Sequence, residues 1–275
     1  VVTHGRPETV GDGVTRLARV AAEHGVELVL SAFEQEKHSL PEGTCRWQAG
    51  DGAGSDLAIV LGGDGTVLRA LQQFLGTGTP VFAINYGQVG FLTTARADQL
   101  EEAVSRAFRG DIQVVKLPTL EVSRENERLG NAVNDAVVAS APTGRMAHFE
   151  WHVDDVVMGE IGCDAVVLAT PSGSTAYNLS AGGPVLGWGL DGCVVTFVAP
   201  HSLKARSLVL PRGHVIRVVN RGQGTDAQVI LDGHEAGPPL APGDEIEVRL
   251  SDLRAHLALL PEISFLQRFR DTFAH

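Results

Sequence analysis

The stretch Leu61-Gly62-Gly63-Asp64-Gly65-Thr66 constrains this chain more than any other. It ends the apolar run that begins at Leu57 and reads as a buried strand. It precedes apolar residues at 67, 68, 71, 74 and 75, which fall at helical spacing. A strand that becomes a helix through three glycines leaves backbone amides bare at the turn, where a phosphate can approach closely. One carboxylate, Asp64, stands among those glycines and can meet a hydroxyl. That pairing points to phosphoryl transfer onto an alcohol, with Asp64 on the acceptor side. The same residues also suit a plain βα turn in which Asp64 caps the helix.

The surrounding pattern places this turn in a layered fold. Apolar residues at 10, 14, 17, 18 and 21 predict a helix that Gly25 ends, and residues 26–30 and 80–85 read as strands. Residues 31–55 are polar and rich in Gly, Ser and charge, and read as loop. Leu100, Ala103, Val104, Ala107 and Phe108 mark another amphipathic helix, closed by Gly110. Repeated β-α units imply a parallel sheet whose ligand site lies beyond the carboxyl ends of its strands, where Gly62 to Thr66 fall. From about residue 113 short β-rich runs take over, at 113–122, 148–153, 156–161, 165–170, 193–199, 214–219, 228–232, 244–250 and 256–260. The expected architecture is an α/β N-terminal Rossmann-like domain over 1–112 and an all-β sandwich-like C-terminal domain over 113–262. A helical or irregular tail over 263–275 is expected to pack back on the first domain.

Composition narrows the partners. A formal net charge of −11 argues against nucleic acid or an acidic membrane as the main partner. No stretch approaches the ~20 apolar residues of a membrane span. The opening residues lack a long apolar segment, so no signal peptide is expected. Cys45, Cys163 and Cys193 are widely spaced with no C-x-x-C, as for reduced, packed thiols in a cytoplasmic protein. No P-loop, H-E-x-x-H or G-x-S-x-G motif occurs, and the histidines lack metal-ligand spacing.

Three further clusters carry chemistry. Asn85-Tyr86-Gly87-Gln88-Val89-Gly90-Phe91-Leu92 follows a strand, and Phe91 and Leu92 can wall a flat ring. Asn134 and Asp135 offer an amide beside a carboxylate, a match for a vicinal diol such as ribose, although turn residues look the same. Thr170-Pro171-Ser172-Gly173-Ser174-Thr175-Ala176-Tyr177-Asn178-Leu179-Ser180-Ala181-Gly182-Gly183-Pro184 packs hydroxyls, an amide and a stacking aromatic among small residues that leave room for a ligand.

Together and in this order the four clusters closely resemble the NAD kinase family. Ala199-Pro200-His201-Ser202-Leu203 and Asp232-Gly233-His234 resemble later motifs of that family. The resemblance implies phosphorylation of the 2′-hydroxyl of the adenosine ribose of NAD, giving NADP, with ATP or polyphosphate as donor and Mg²⁺ or another divalent metal carried by the donor phosphates. It implies Asp64 as proton acceptor. It implies phosphate contacts from Gly62, Gly63, Gly65, Thr66 and Arg69. Substrate contacts would come from Gly65, Arg69, Phe91, Asn134, Asp135, Asp164, Thr175, Ala176, Tyr177, Ser180, Ala199 and His234, and a homodimer or homotetramer is expected. The chain departs from the pattern at Tyr86, where a small aliphatic residue is usual, and at Asp135, where Glu is commoner. Gly162 stands where many members have a basic residue, Ala165 where Gly usually follows Asp164, and His234 where Gln is frequent. Alternatives are a relative that phosphorylates another adenosine nucleotide or a lipid alcohol, and a non-catalytic NAD(P) sensor.

Overall fold

The structure, a computed structural model, describes residues 1–275 except 39–46, 50, 51, 53, 88, 89, 142–146 and 275. Cys45, Gln88 and Val89 therefore lie outside the described residues. The chain forms two compact units, one of Val1–Lys116 with Ala255–His275, the other of Leu117–Arg254.

The first unit is built on parallel strands. Val2–Thr3, Ala58–Gly62 and Val81–Asn85 lie side by side, and Leu257 and Ala258, from the end of the strand Glu245–Leu259, pair with Val81 and Phe82. Every residue of Ala58–Gly62 and Val81–Asn85 is buried, as expected of parallel strands covered on both faces. Helices Gly13–Glu23 and Leu100–Phe108 supply Leu17, Ala21, Leu100 and Val104 to a core that also holds Ile59, Leu61, Phe82, Ile84, Ala258 and Leu260. Helix Asp64–Gln73 buries Val67, Ala70 and Leu71. The expected strands and helices of residues 10–30 and 57–108 are present within a few residues of their predicted ends.

Residues 31–55 correct the sequence reading. They contain the helix Ala32–His38 and the strand Trp47–Ala49, which pairs in parallel with Leu28–Leu30. The helix reads as loop because it is rich in charge, yet Glu34 and Lys37 are turned inward while Glu36 stays exposed. The buried Glu34 carboxylate accepts from the Thr3 amide at 3.1 Å and its hydroxyl at 2.7 Å, and lies 2.7 Å from Lys37 Nζ. Mutual pairing is what permits such groups to be buried.

The second unit is a two-sheet β structure with a core between the sheets and a smaller apolar cluster of Val137, Ala165, Val167, Ala169, Leu186 and Val194. One sheet has the order Leu208–Pro211, Gly192–Val198, Ala165–Ala169, Asp135–Ser140, Ala227–Leu231, His234–Glu235. The other contains Ala147–Val153 between Val156–Cys163 and Val215–Asn220, the last of which pairs with Glu245–Arg249. Leu120, Phe149, Trp151, Val166, Leu168, Val195, Ile216 and Val248 share the core between them. The runs 244–250 and 256–260 are one strand, Glu245–Leu259, because the polar stretch Ser251 to Arg254 continues extended instead of turning. Strands Glu127–Ala132, Asp135–Ser140 and Leu208–Pro211 were not anticipated. They are short, and the first is interrupted by glycine.

The segment Thr170 to Pro184 closes one end of the first of these sheets and is locked by a fully buried amide. Asn178 donates at 3.0 Å to the carbonyls of Ser174 and Pro184 and accepts at 2.7 Å from the Thr196 hydroxyl. Asn178→Ala leaves the buried Ser174 carbonyl and the partly buried Pro184 carbonyl without their donor, and the expected loss is roughly 2–4 kcal/mol, read as a lower midpoint in urea denaturation with an unchanged slope.

Candidate functional site

In the first unit the site forms where parallel strands end. Gly62 closes its strand, Gly63 is the extended residue before the helix, and Asp64 is the first helical residue. A β-carbon at Gly62 would collide with Thr66, whereas one at Gly63 or Gly65 would meet nothing. The first glycine is therefore needed for packing, and the other two face open space. A cavity of about 350 Å³ opens there, lined by His4, Gly5, Thr9, Gly63, Gly65, Thr66, Arg69, Tyr86 and Gly87. Bare amides at a helix N-terminus favour an anion in such a place. The Arg69 guanidinium donates to the Thr3 carbonyl at 2.6 Å and lies 3.7 Å from Glu34, while nearly half of its side chain stays exposed.

Asp64 does not cap its own helix, since no side-chain cap bond forms there. Its carboxylate turns to a neighbouring loop, where it accepts the Phe91 amide at 2.8 Å on Oδ2 and the Leu92 amide at 3.1 Å on Oδ1. Burial pushes its pKa above the usual carboxylate value. The amides of Phe91 and Leu92 and the positive charge of Arg268 pull the other way. A β-carbon on Gly90 would overlap the carboxylate, so glycine is required at that position. Phe91 is buried, with Phe265 at 6.1 Å and Phe273 at 5.9 Å between ring centroids. The departure at Tyr86 has a local compensation, because a β-carbon at residue 13 would overlap the Tyr86 ring and Gly13 leaves that space.

In the second unit three chain segments meet at one end of a sheet. Ala169 pairs with Asp135 and Leu231 with Ala136, which brings Thr170, Asn134 and Asp232 together. The Asp232 carboxylate accepts the amides of Val133 at 2.7 Å, Asn134 at 2.8 Å and Asp135 at 3.0 Å. The hydroxyls of Thr170 and Ser172 both donate to the Val133 carbonyl, at 2.6 and 2.8 Å. A β-carbon on Gly173 would overlap the Asn134 backbone, so the two segments approach each other closely there. The Asn134 carboxamide oxygen is buried and has no hydrogen-bond partner among the described residues. Asp135 is buried, and its pKa rises to about 7, first through burial and then through the charge of Asp232. Tyr177 is exposed on the short helix Tyr177–Ser180, together with Ser180. His234 is exposed, with Nδ1 3.2 Å from the Asp232 carbonyl.

The expected site residues thus fall into separate groups. Gly62, Gly63, Asp64, Gly65, Thr66 and Arg69 border or adjoin one cavity, with Phe91 beside Asp64. Asn134, Asp135 and Thr175, which donates to the Ser172 carbonyl, gather at one sheet end with Ala176. Asp164 and Ala199 lie at the opposite end, where Ala165 pairs with Val198. Sequence reasoning missed the organising roles of Asp232, Glu34 and Arg268. Asp232-Gly233 carries a turn signal, and both residues adopt positive φ. The spacing Ser264-x-x-Gln267 marks a helix start, and the structure forms the corresponding capping box.

Comparison with known proteins identifies the family. Models of the ATP-NAD kinase N-terminal and C-terminal domains match residues 14–112 and 133–260. An NAD kinase from Symbiobacterium thermophilum is 34% identical over 98% of this chain and 96% of its own length. The chain belongs to the NAD kinase family. A second NAD kinase, from Solibacter usitatus, is 36% identical over 78% of this chain and 76% of its own length. In fold, the chain resembles yeast NADH kinase, crystallised with NADH, with a TM-score of 0.86 at 21% identity over 99% of this chain and 86% of that one. An Archaeoglobus fulgidus NAD kinase in complex with ATP gives a TM-score of 0.69 at 27% identity over 90% of this chain and 96% of that one. As a member of the NAD kinase family the chain is a phosphotransferase.

The raised pKa of Asp135 carries a pH signature. A carboxyl that holds its proton more tightly when folded adds stability below the unfolded value near 4, and that contribution is lost as pH rises through about 7. Asp135→Asn is therefore expected to stabilise the protein at pH 8, by roughly 2–4 kcal/mol at about 1.4 kcal/mol per unit, and by little at pH 4. Urea titrations at the two pH values check this.

Proposed function

We propose that this chain transfers the terminal phosphoryl group of ATP to the 2′-hydroxyl of the adenosine ribose of NAD, giving NADP. The observation that carries the reading is the half-buried Asp64 carboxylate at the mouth of the glycine turn, held by two backbone amides. A carboxylate has about four lone-pair sites; the amides of Phe91 and Leu92 use two and the Thr93 amide also acts on it, so Asp64 keeps capacity for a sugar hydroxyl. Burial raises its pKa, the direction that strengthens a base, and the two amides hold its oxygens in place. Catalysis here is mainly positioning and charge stabilisation, because phosphoryl transfer asks for little covalent chemistry from the protein.

The donor phosphates would lie over Gly63, Gly65 and Thr66, with Arg69 at the edge of the same cavity. ATP as donor has support from the Archaeoglobus fulgidus relative, which was crystallised with it; polyphosphate is the other donor to compare. The described residues contain no cluster of three or more His, Cys, Asp or Glu side chains able to hold a metal ion. A Mg²⁺ ion would therefore be held by donor phosphates and water, with Asp64 the nearest carboxylate of the turn, and would supply charge neutralisation. Asn134, through its unpartnered oxygen, and Asp135 are suited to ribose hydroxyls, and Tyr177 to stacking on a ring. Thr175, Ala176, Ser180 and His234 would complete that pocket, and Asp164 and Ala199, at the opposite end of the sheet, would make separate substrate contacts.

Cytoplasmic residence and a homodimer or homotetramer belong to this reading. Cys163 and Cys193 are buried free thiols, and no helix among the described residues is long and apolar enough to cross a membrane. The strand Val156–Cys163, at the end of its sheet, exposes Val156, Val157 and Met158, an apolar edge suited to a second copy.

A coupled assay for NADP, run with ATP and polyphosphate side by side, tests the reaction; absence of NADP with either donor would overturn it. Asp64→Asn is expected to leave NAD binding nearly unchanged by calorimetry while turnover drops about 10²-fold or more. Gly90→Ala, which forces the carboxylate aside, is expected to lower kcat by at least about tenfold, measured in the same assay.

A further inference from the structure

The C-terminal helix Phe265–Phe273 reaches the loop that holds Asp64. The Arg268 guanidinium donates to the carbonyl of Gly90 at 3.0 Å, to that of Thr93, and to that of Thr94 at 3.4 Å. The carbonyl of Gly90 and the amide of Phe91 belong to one planar trans peptide, so they point in opposite directions. That peptide therefore has a cation at its oxygen and the Asp64 carboxylate at its N–H. Fixing one end aims the other. Each hydrogen bond also polarises the next in such a chain. Phe265 and Phe273, on the same helix, stack against Phe91 and hold the loop from its apolar side.

We propose that Arg268 is a positioning residue for phosphoryl transfer, acting through the Gly90–Phe91 peptide to hold the Asp64 carboxylate in its reactive orientation. The guanidinium fork is needed because it serves several carbonyls at once, which an ammonium group cannot match. Arg268 also acts on Asp64 by charge, lowering the carboxylate's pKa against the effect of burial. The guanidinium in turn feels burial first and then the charges of Asp64 and of Asp271 on its own helix. These are the charged groups that act on the pair among the described residues.

The proposal rests on Asp64 as the group that receives the hydroxyl proton, and the test separates the two claims. NADP formation by the wild-type protein is measured first; if it fails, the reaction assignment fails independently of Arg268. With an active wild type, Arg268→Met is expected to lower kcat about ten- to a hundredfold, with KM for NAD and ATP changed less than about threefold. Its acid limb in the pH profile of kcat should move to higher pH, because the cation that favours the Asp64 carboxylate is gone. Arg268→Lys should return the limb towards its wild-type position without restoring full kcat. Circular dichroism establishes that each variant is folded, and if Arg268→Met is not, Arg268→Lys decides by its kcat. An unchanged kcat in a folded variant overturns the proposal. So does a reduced kcat with the acid limb in the same place in wild type and Arg268→Met, the result expected of a merely structural contact.

Discussion

The chemistry of the first unit depends on one charge partly withdrawn from water. A buried carboxylate is costly unless neighbouring dipoles replace its hydration. Asp64 meets that demand with backbone amides from Phe91 and Leu92, which no side-chain substitution can remove directly. The arrangement in turn dictates a glycine at 90, because no other residue leaves room for the carboxylate. Two glycine-containing turns that are separate in sequence thus form one device, with the acid on the first and its amide donors on the second.

The second unit uses the same principle with a different acid. Asp232 gathers three consecutive amides, Val133 to Asp135, and so shapes the segment that presents Asn134. Its charge falls close to a second buried carboxyl, Asp135, whose proton affinity rises into the neutral range. The side chain that does the holding is not the one that faces outward. For that reason, a reading based on which residues could touch a ligand passes over it.

Much of this was legible in the chain itself. The strand–glycine–helix sequence at 57–75 announced both a parallel sheet and the place of its site. Four ordered clusters pointed to a family that the domain matches and whole-length relatives then established. What escaped was structure whose cause is tertiary. The helix Ala32–His38 reads as solvated because Glu34 and Lys37 satisfy each other and Thr3 only after folding. The strand Glu245–Leu259 reads as two because its polar middle has the composition of a turn. Arg268 gave no local signal at all, since its partners are carbonyls some 175 residues away in sequence.

That long strand has a consequence for how the chain comes into being. The first unit takes Leu257, Ala258 and Leu260 into its sheet and core, although the strands they join, Ala58–Gly62 and Val81–Asn85, are made before residue 100. During synthesis the strand Val81–Asn85 therefore waits for partners made some 170 residues later. A sheet strand left unpaired for that long is open to wrong pairing, so the order of synthesis bears on how this unit folds.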